Sequence, residues 1–176
     1  MLSNAPWTPS GYGQQSRLLL PRLADLGHEM AITCFYGLEG GVLNMGKFQC
    51  FPKRFHPYGN DVVIPHTAAF QSDIMLSLMD VWVMNPEDYP KPMRWIPWYP
   101  VDHDPMPAII RGKISLAYKR ITFSKFGVQK THEAGLDCYY IPHGIETDLF
   151  KPNGSKQASR EKLGLPQDKY VVGTVR

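Results

Sequence analysis

The stretch from Met1 to Tyr36, MLSNAPWTPSGYGQQSRLLLPRLADLGHEMAITCFY, contains the elements that decide the fold. A strand stub is followed by a loop of turn residues at 4–13, and Gln14–Leu26 then has the periodicity of a helix, which Gly27 ends. Met30–Tyr36 is typical of a buried strand. A strand, a helix and a second strand within about 36 residues form a βαβ unit, which predicts a parallel sheet.

The predicted first helix carries a leucine stripe and one proline. Leu19, Leu23 and Leu26 recur at i, i+4 and i+7, so we expect them to face the sheet. Pro21 lies inside this pattern and lacks a backbone donor, so it either kinks the helix or begins its regular part.

The alternation of strands and helices continues to residue 141 and predicts an α/β fold with a doubly wound, Rossmann-like parallel sheet. A hairpin or meander is predicted within Gly37–Pro52. The prolines of Arg94–Asp102 favour a strand end or an edge strand. Further strands are predicted at Ile74–Met79, Ile121–Ser124 and Cys138–Ile141, and further helices at Ile64–Phe70, Ala108–Arg120 and Lys125–Ala134.

The sequence becomes polar and loop-like after Pro142, which predicts a domain boundary. Residues 1–152 are interpreted as an N-terminal Rossmann-like domain. Residues 153–176 are interpreted as a linker, including Asn153, and the first strand of another domain at Lys169–Arg176.

Composition excludes several classes of protein. Of 176 residues, 43% are hydrophobic, which allows a sizeable core, and the net charge of +3 is too small for a dedicated nucleic-acid binder. Cys34, Cys50 and Cys138 contain no CxxC pair, which disfavours a disulfide framework or a zinc ribbon. Because neither a signal peptide nor an apolar run of ~18 residues is present, the sequence predicts a cytoplasmic protein.

Parallel sheets bind ligands beyond the carboxyl ends of their strands, a rule that selects four segments here. The first is the loop that contains Gly11, Tyr12 and Gly13 at the start of the first helix. Glycines allow close approach of a ligand, and free amides at a helix N-terminus favour phosphate or sugar oxygens. A tight strand-to-helix turn explains the same residues equally well.

The second segment places Asp102, His103 and Asp104 in succession after a predicted strand. This group can orient hydroxyls or move a proton, whereas three adjacent residues cannot all face one metal ion. The alternative interpretation is a polar turn in which Asp caps the following helix.

The third and fourth segments contain Ser124, Lys125, His143 and Gly144. Ser124 fits a helix N-cap, and His143 is equally explained as a loop histidine without a function. The basic residues of Arg111–Arg120 are interpreted as a solvent-exposed helix face. The alternative interpretation is that they bind phosphate or anionic lipid. The trio of Trp95, Trp98 and Tyr99 fits a core better than a sugar platform.

Taken together, these segments resemble the N-terminal half of a retaining glycosyltransferase of the GT-B fold, in the family-four class. The match follows the order of the family over nearly the whole chain, and the last segment is the most specific. The matching segments are Ser3–Gly13, Leu26–Met30, Pro100–Pro107, Phe123–Gly127, Glu133–Leu136 and Ile141–Pro152.

The resemblance implies transfer of a sugar from a nucleotide-sugar donor to a glycan, lipid or small-molecule acceptor, with retention of configuration and without metal or other cofactor. Residues 1–152 would form the acceptor domain, and a C-terminal donor domain would lie beyond residue 176. The implied catalytic residues are Asp102 and His103. The implied binding residues are Gly11, Tyr12, Gly13, Ser124, Lys125, His143 and Gly144.

Two other functions remain open from the sequence. The chain can be a noncatalytic sugar-binding or partner-binding module that uses the same edge of the sheet. A nicotinamide-dependent enzyme is disfavoured because no GxGxxG follows the first strand and Tyr36 and Gly37 stand where an acidic residue is expected.

Overall fold

The computed structural model describes residues 1–152 and 154–174, and the chain divides into two compact units, Met1–Gly144 and Ile145–Arg176. The first unit is an α/β structure built on one eight-stranded, mostly parallel sheet. Its strands are β1 (Leu2–Asn4), β2 (Met30–Tyr36), β3 (Leu43–Asn44), β4 (Phe48–Pro52), β5 (Met75–Leu78), β6 (Trp95–Tyr99), β7 (Ile121–Thr122) and β8 (Tyr139–Tyr140). Its helices are α1 (Gly11–Asp25), α2 (Val63–Ala69), α3 (Ala108–Ser115) and α4 (Lys125–Glu133).

The strand order is β3-β4-β2-β1-β5-β6-β7-β8, and every pair is parallel except the β3–β4 hairpin. The chain starts in the middle of the sheet at β1, adds β2 and β4 on one side, then crosses to β5 and extends the other side. The first six parallel strands therefore have the order 3-2-1-4-5-6, which is the Rossmann-type order. The direction of winding changes between β1 and β5, so the predicted α/β, Rossmann-like class is confirmed at this level.

Helices pack on both faces of the sheet. Ile32 and Cys34 of β2 lie in a buried cluster with Leu20 of α1. Thr33, which points to the opposite face because strand side chains alternate, contacts His66 of α2 through Oγ1 and Nδ1 at 3.0 Å. The second and larger cluster joins β1, β5 and β6 to Ile110 and Ile114 of α3.

Strand β6 is an interior strand, so of the two positions predicted from its prolines the edge is wrong, whereas Pro100 does lie at the strand end. Pro97 pairs in register with Ser77 of β5, while β7 begins only opposite Trp98. The Tyr118 amide donates to the Trp95 carbonyl at 2.9 Å, so by alternation Pro97 also faces the β7 side. Its missing N–H falls before the ladder with β7 starts, and for this reason an interior strand tolerates the proline.

The three aromatic residues of β6 belong to the core, as predicted. Trp95, Trp98 and Tyr99 are 2%, 5% and 0% exposed. The Trp95 indole donates to Ser77 Oγ at 2.9 Å, and the Tyr99 hydroxyl contacts Thr131 Oγ1 of α4 at 2.9 Å. These partners satisfy the polar atoms that burial would otherwise leave unpaired.

Helix α1 begins at Gly11, earlier than predicted, because Ser10 caps it by accepting a hydrogen bond from the Gly13 amide at 3.0 Å. The predicted leucine stripe is wrong at Leu26, while Leu19 and Leu23 are partly buried. The buried side of the helix contains Gly13, Ser16 and Leu20 together with Gln15, while Leu26 is 75% exposed. Small residues allow the helix to approach the loop after β1 closely, which a hydrophobicity pattern does not register.

Helix α3 ends at Ser115, five residues before the predicted end. The Arg120 guanidinium donates to the Ile114 carbonyl at 2.6 Å and to the Ser115 carbonyl at 3.1 Å. The Ile114 carbonyl also accepts from the Ala117 amide at 3.1 Å, so the arginine adds a side-chain cap to the C-terminus of the helix. Ile110, Ile114 and Ala117 are buried.

Gly13 packs against the turn that connects β1 to α1. A Cβ at this position would lie 2.2 Å from Thr8 Oγ1 and 2.6 Å from the Thr8 carbonyl oxygen, whereas a Cβ at Gly11 would meet nothing within 4 Å. The glycine is therefore required by packing inside the unit, and a ligand-binding role of its backbone stays a prediction.

The second unit contains α5 (Lys156–Lys162), whose Ser155 cap accepts from the Ala158 amide at 3.1 Å. None of its described residues is buried. The predicted strand Lys169–Arg176 is not formed at residues 169–174, where no other described segment pairs with it, and Val175 and Arg176 lie outside the described residues. Asn153 of the predicted linker also lies outside them. Within the described chain, no helix combines the length and the apolar character needed to cross a bilayer.

The two glycines at the start of α1 differ in the cost of an added methyl group. We expect Gly13→Ala to lower the free energy of unfolding by about 2 kcal/mol, because the methyl group collides with backbone as well as side chain. The matched change Gly11→Ala should alter it by less than about 0.5 kcal/mol. Urea denaturation measures both, and equal stability of the two variants would contradict the packing at Gly13.

Candidate functional site

A crevice of about 380 Å³ lies at the carboxyl edge of the sheet, within the first unit. Its lining residues come from the ends of β4, β2, β1 and β5, from the segments that follow β4 and β5, and from the first turn of α1. It therefore spans the point between β1 and β5 at which the winding direction changes. Ligands of open α/β sheets bind at this point because the loops from neighbouring strands diverge there. Six residues that define its chemistry are Asn4, Tyr12, Lys53, Tyr58, Asp80 and Trp82.

Aromatic rings form one wall of the crevice. Tyr58 packs edge-on against Trp82, with ring centroids 6.4 Å apart, and it packs against Phe35 at 6.1 Å. Trp82 is 52% exposed, although tryptophan is usually largely buried. The Asn60 side chain supports this wall, because its Nδ2 donates to the Val83 carbonyl at 2.7 Å.

Tyr12 connects the glycine loop to two carboxylates. Its hydroxyl lies 3.4 Å from Asp80 Oδ2, a long hydrogen bond that leaves Asp80 free to accept from a ligand. Burial raises the pKa of Tyr12, and the negative charges of Asp80 and, to a smaller extent, Asp102 raise it further. The carboxylates that follow β5 and β6 therefore both raise the pKa of the same phenol.

Asn4 is the last residue of β1 and is 7% exposed. Its Nδ2 donates to Ser10 Oγ at 2.7 Å, which ties the strand end to the cap of α1. Its Oδ1 has no hydrogen-bond donor among the described residues. Native proteins satisfy most buried amide oxygens, so this atom is a candidate contact for a ligand.

Asp102 and His103 lie in an exposed loop after β6. Asp102 Oδ1 and His103 Nδ1 are 2.5 Å apart, and both side chains are more than half exposed. The next residue, Asp104, is held by Lys130 of α4, whose Nζ is 2.8 Å from Asp104 Oδ2. The hydrogen bonds that Lys130 donates to Asp104 and Glu133 raise its pKa. The loop is therefore fixed at Asp104 and open to solvent at the predicted catalytic pair.

Gln15 ties α1 to the loop after β8. Its Nε2 donates to the Gly144 carbonyl at 2.9 Å, and its Oε1 accepts from the Gly144 amide at 3.0 Å. Gln15 is 9% exposed whereas Gly144 is exposed, so both hydrogen bonds are partly shielded from water. The first and fourth segments selected from the sequence are joined by this side chain.

His143 is held between two aromatic rings. Its ring centroid is 4.1 Å from that of Phe123 and 4.9 Å from that of Trp98. Its Nε2 is buried and has no partner among the described residues. Desolvation lowers the pKa of His143, so the neutral imidazole is favoured.

Ser124 and Lys125 begin α4. Ser124 Oγ accepts from the Gly127 amide at 2.8 Å, so the cap role weighed from the sequence is present, and Lys125 is exposed. A Cβ at Gly127 would lie 2.2 Å from Thr122 Oγ1. Helices α1 and α4 therefore start in the same way, with a capping serine and a glycine three residues later that packs against the protein itself.

Three cationic residues of the predicted basic helix make internal contacts. Arg111 Nε donates to the Ala134 carbonyl at 2.9 Å, Lys113 contacts the Met84 carbonyl, and Arg120 closes α3. These contacts give the three side chains structural roles. Separately, in the described parts of the chain no group of three or more His, Cys, Asp or Glu residues is placed to hold a metal ion.

Asp80, Asn4, Gln15 and Trp82 were not singled out by sequence reasoning. Asp80 directly follows the predicted strand Ile74–Met79, so the rule that selected the other four segments would have found it. Gln15 gave no such signal, since its partner is 129 residues away.

Comparison with models of known protein families gives no match to this chain. A search of curated proteins likewise finds none that matches it.

Gln15→Leu should release the loop after β8, because the Gly144 amide and carbonyl both lose their side-chain partner. We expect amide hydrogen exchange at Gly144 to accelerate about tenfold or more, which corresponds to about 1.4 kcal/mol. The neighbouring variant Gln14→Leu is the control, since Gln14 is exposed and its side chain accepts a hydrogen bond from the exposed Arg17. Unchanged exchange in Gln15→Leu would contradict the described tie.

The lowered pKa of His143 predicts a pH dependence of stability. Below its ordinary pKa of about 6.5, the unfolded chain binds a proton more readily than the native protein does. Stability is therefore fully present above this pH and falls as the pH drops towards the lowered native pKa. His66, whose pKa burial also lowers, contributes in the same direction.

His143→Phe keeps an aromatic ring and removes this proton site. Urea denaturation at pH 7.5 and 5.5 should therefore show a smaller loss of stability for the variant than for the wild type. An equal loss in both proteins would mean that His143 titrates normally.

Proposed function

We propose that this chain is the acceptor-binding part of a retaining glycosyltransferase that transfers a sugar from a nucleotide sugar, with residues 1–152 as one Rossmann-like half of a GT-B enzyme. The observation that carries the proposal is the crevice at the β1–β5 switch point. It combines an aromatic wall with polar groups, which suits the two kinds of surface of a sugar ring.

The crevice offers a separate contact to each surface of a sugar. The half-exposed Trp82 presents an apolar ring for the C–H face of the sugar. Asp80 and the unpartnered Oδ1 of Asn4 accept hydrogen bonds, as ring hydroxyls require. These groups support an acceptor such as a glycan, a glycolipid or a small glycoside.

The exposed pair of Asp102 and His103 is proposed to orient the acceptor hydroxyl and to transfer its proton. Asp102 is close enough to Tyr12 to act on its pKa, which supports a shared site for the β6 loop and the crevice. Gly11, Gly13, Ser124, Lys125, His143 and Gly144 remain proposed contacts to the donor or acceptor. The three free cysteines favour a reducing compartment such as the cytoplasm.

A noncatalytic sugar-binding module would use the same crevice, and turnover separates the two functions. The enzyme requires a donor-binding domain, which we expect the reading frame to encode after Arg176. A complete gene product with such a domain and no transfer to any bound acceptor would favour the noncatalytic module.

The 176-residue chain should bind methyl glycosides in an NMR titration and should neither bind nor turn over nucleotide sugars. Trp82→Ala should weaken glycoside binding about tenfold or more, because it removes the stacking surface. The control Tyr118→Ala removes a ring that is similarly exposed, at 54%, and that precedes β7 at the opposite edge. Turnover of nucleotide sugars by this chain alone would contradict the two-domain assignment, and absence of glycoside binding would contradict the acceptor site.

A further inference from the structure

The charges of the crevice carry an inference about its ligand that rests on the proposed function. We propose that Asp80 makes the crevice selective by charge, so that it accepts a sugar that is neutral or bears an amino group and rejects one that bears a carboxylate or phosphate. Asp80 acts as a specificity residue in this proposal.

Lys53 and Asp80 are the charged residues that line the crevice, and two further carboxylates, those of Glu39 and Asp102, act on it from outside, so the charge in and around the crevice is net negative. Lys53 is neutralised by Glu39, whose Oε1 lies 3.3 Å from Lys53 Nζ. Asp80 forms no ion pair with any residue that the structure describes, and its one side-chain contact is the neutral hydroxyl of Tyr12. Asp102 adds a second negative charge that acts on Tyr12 from the loop after β6.

The position of Asp80 is fixed by its neighbours in the chain. Met79 and Val81 are each 1% exposed, so the backbone on both sides of Asp80 is anchored in the core. Asp80 itself is half-buried, and water screens its charge less than it screens a fully exposed carboxylate. The main chain therefore cannot carry this carboxylate away from a ligand in the crevice.

The hydrogen-bonding groups point to the same class of ligand. Asp80 and Asn4 Oδ1 are both acceptors, so a ligand must supply donors. Sugar hydroxyls and an ammonium group donate, whereas an ionised carboxylate or a phosphate offers mostly acceptors and repels Asp80. Like charges a few ångströms apart at a partly screened site lower affinity by about tenfold or more.

The test uses the 176-residue chain and NMR titration at pH 7. The probes are methyl glycosides of glucose, mannose and galactose, each compared with its uronic acid and its 2-amino counterpart. We expect the uronic acid of the best neutral ligand to bind at least tenfold more weakly, and the amino sugar to bind at least as tightly as the neutral sugar.

Asp80→Asn should reduce the discrimination against the uronic acid to threefold or less, because it keeps the shape and removes the charge. The control is Asp73→Asn, an exposed carboxylate before β5 at the other edge of the sheet, and it should keep the wild-type discrimination. In the wild type, 0.5 M salt should also reduce the discrimination, which is a readout that does not depend on any variant.

The outcomes separate this inference from the proposed function. Equal binding of neutral and uronic-acid glycosides, or full discrimination in Asp80→Asn, would overturn the role of Asp80 and leave the sugar site standing. Absence of binding by every glycoside would overturn both.

Discussion

The pairing of β1 on both of its sides is the constraint on which the rest of the structure depends. This strand has only three residues, Leu2–Asn4, and all three are buried. It pairs with β2 on one side and with β5 on the other, so it joins the two halves of the sheet. The Ser3 hydroxyl donates to the Leu78 carbonyl at 2.9 Å and strengthens the second pairing. Because the crevice opens between the ends of these strands, its position follows from this short element.

The loop after β1 fixes the position of α1 relative to this strand. The Ala5 amide donates to the Tyr36 carbonyl at 2.9 Å, and Thr8 packs between Gly13 and Gly37. A Cβ at Gly37 would lie 2.1 Å from Thr8 Cγ2, so this turn leaves no room for a larger residue on either side. The first turn of α1, with Tyr12, therefore reaches the crevice in a fixed orientation.

Local patterns in the sequence predict the elements well and their long-range contacts poorly. Met30–Tyr36 was predicted with the observed bounds, since a run of β-branched and apolar residues between two turns leaves few alternatives. The buried face of α1 was predicted only in part, because close packing there uses the small residues Gly13 and Ser16 beside Leu20. The predicted site segments do lie at the carboxyl edge, as the parallel pairing requires. The end of its predicted strand places Asp80 at this edge, but its proximity to Tyr12 follows from the strand order, which no local pattern encodes.

The tie between Gln15 and Gly144 has a consequence for synthesis of the chain. Its two partners are 129 residues apart, and at ~5–20 residues per second a ribosome needs about 6–26 s to make the residues between them. During that interval α1 can form and pack on β2, while the amide of Gln15 has no partner except water. The sheet is also incomplete on the β5 side until residue 78 has left the ribosome. In nascent chains this face of α1 is therefore exposed to water during translation. The loop that contains Gly144 covers it last.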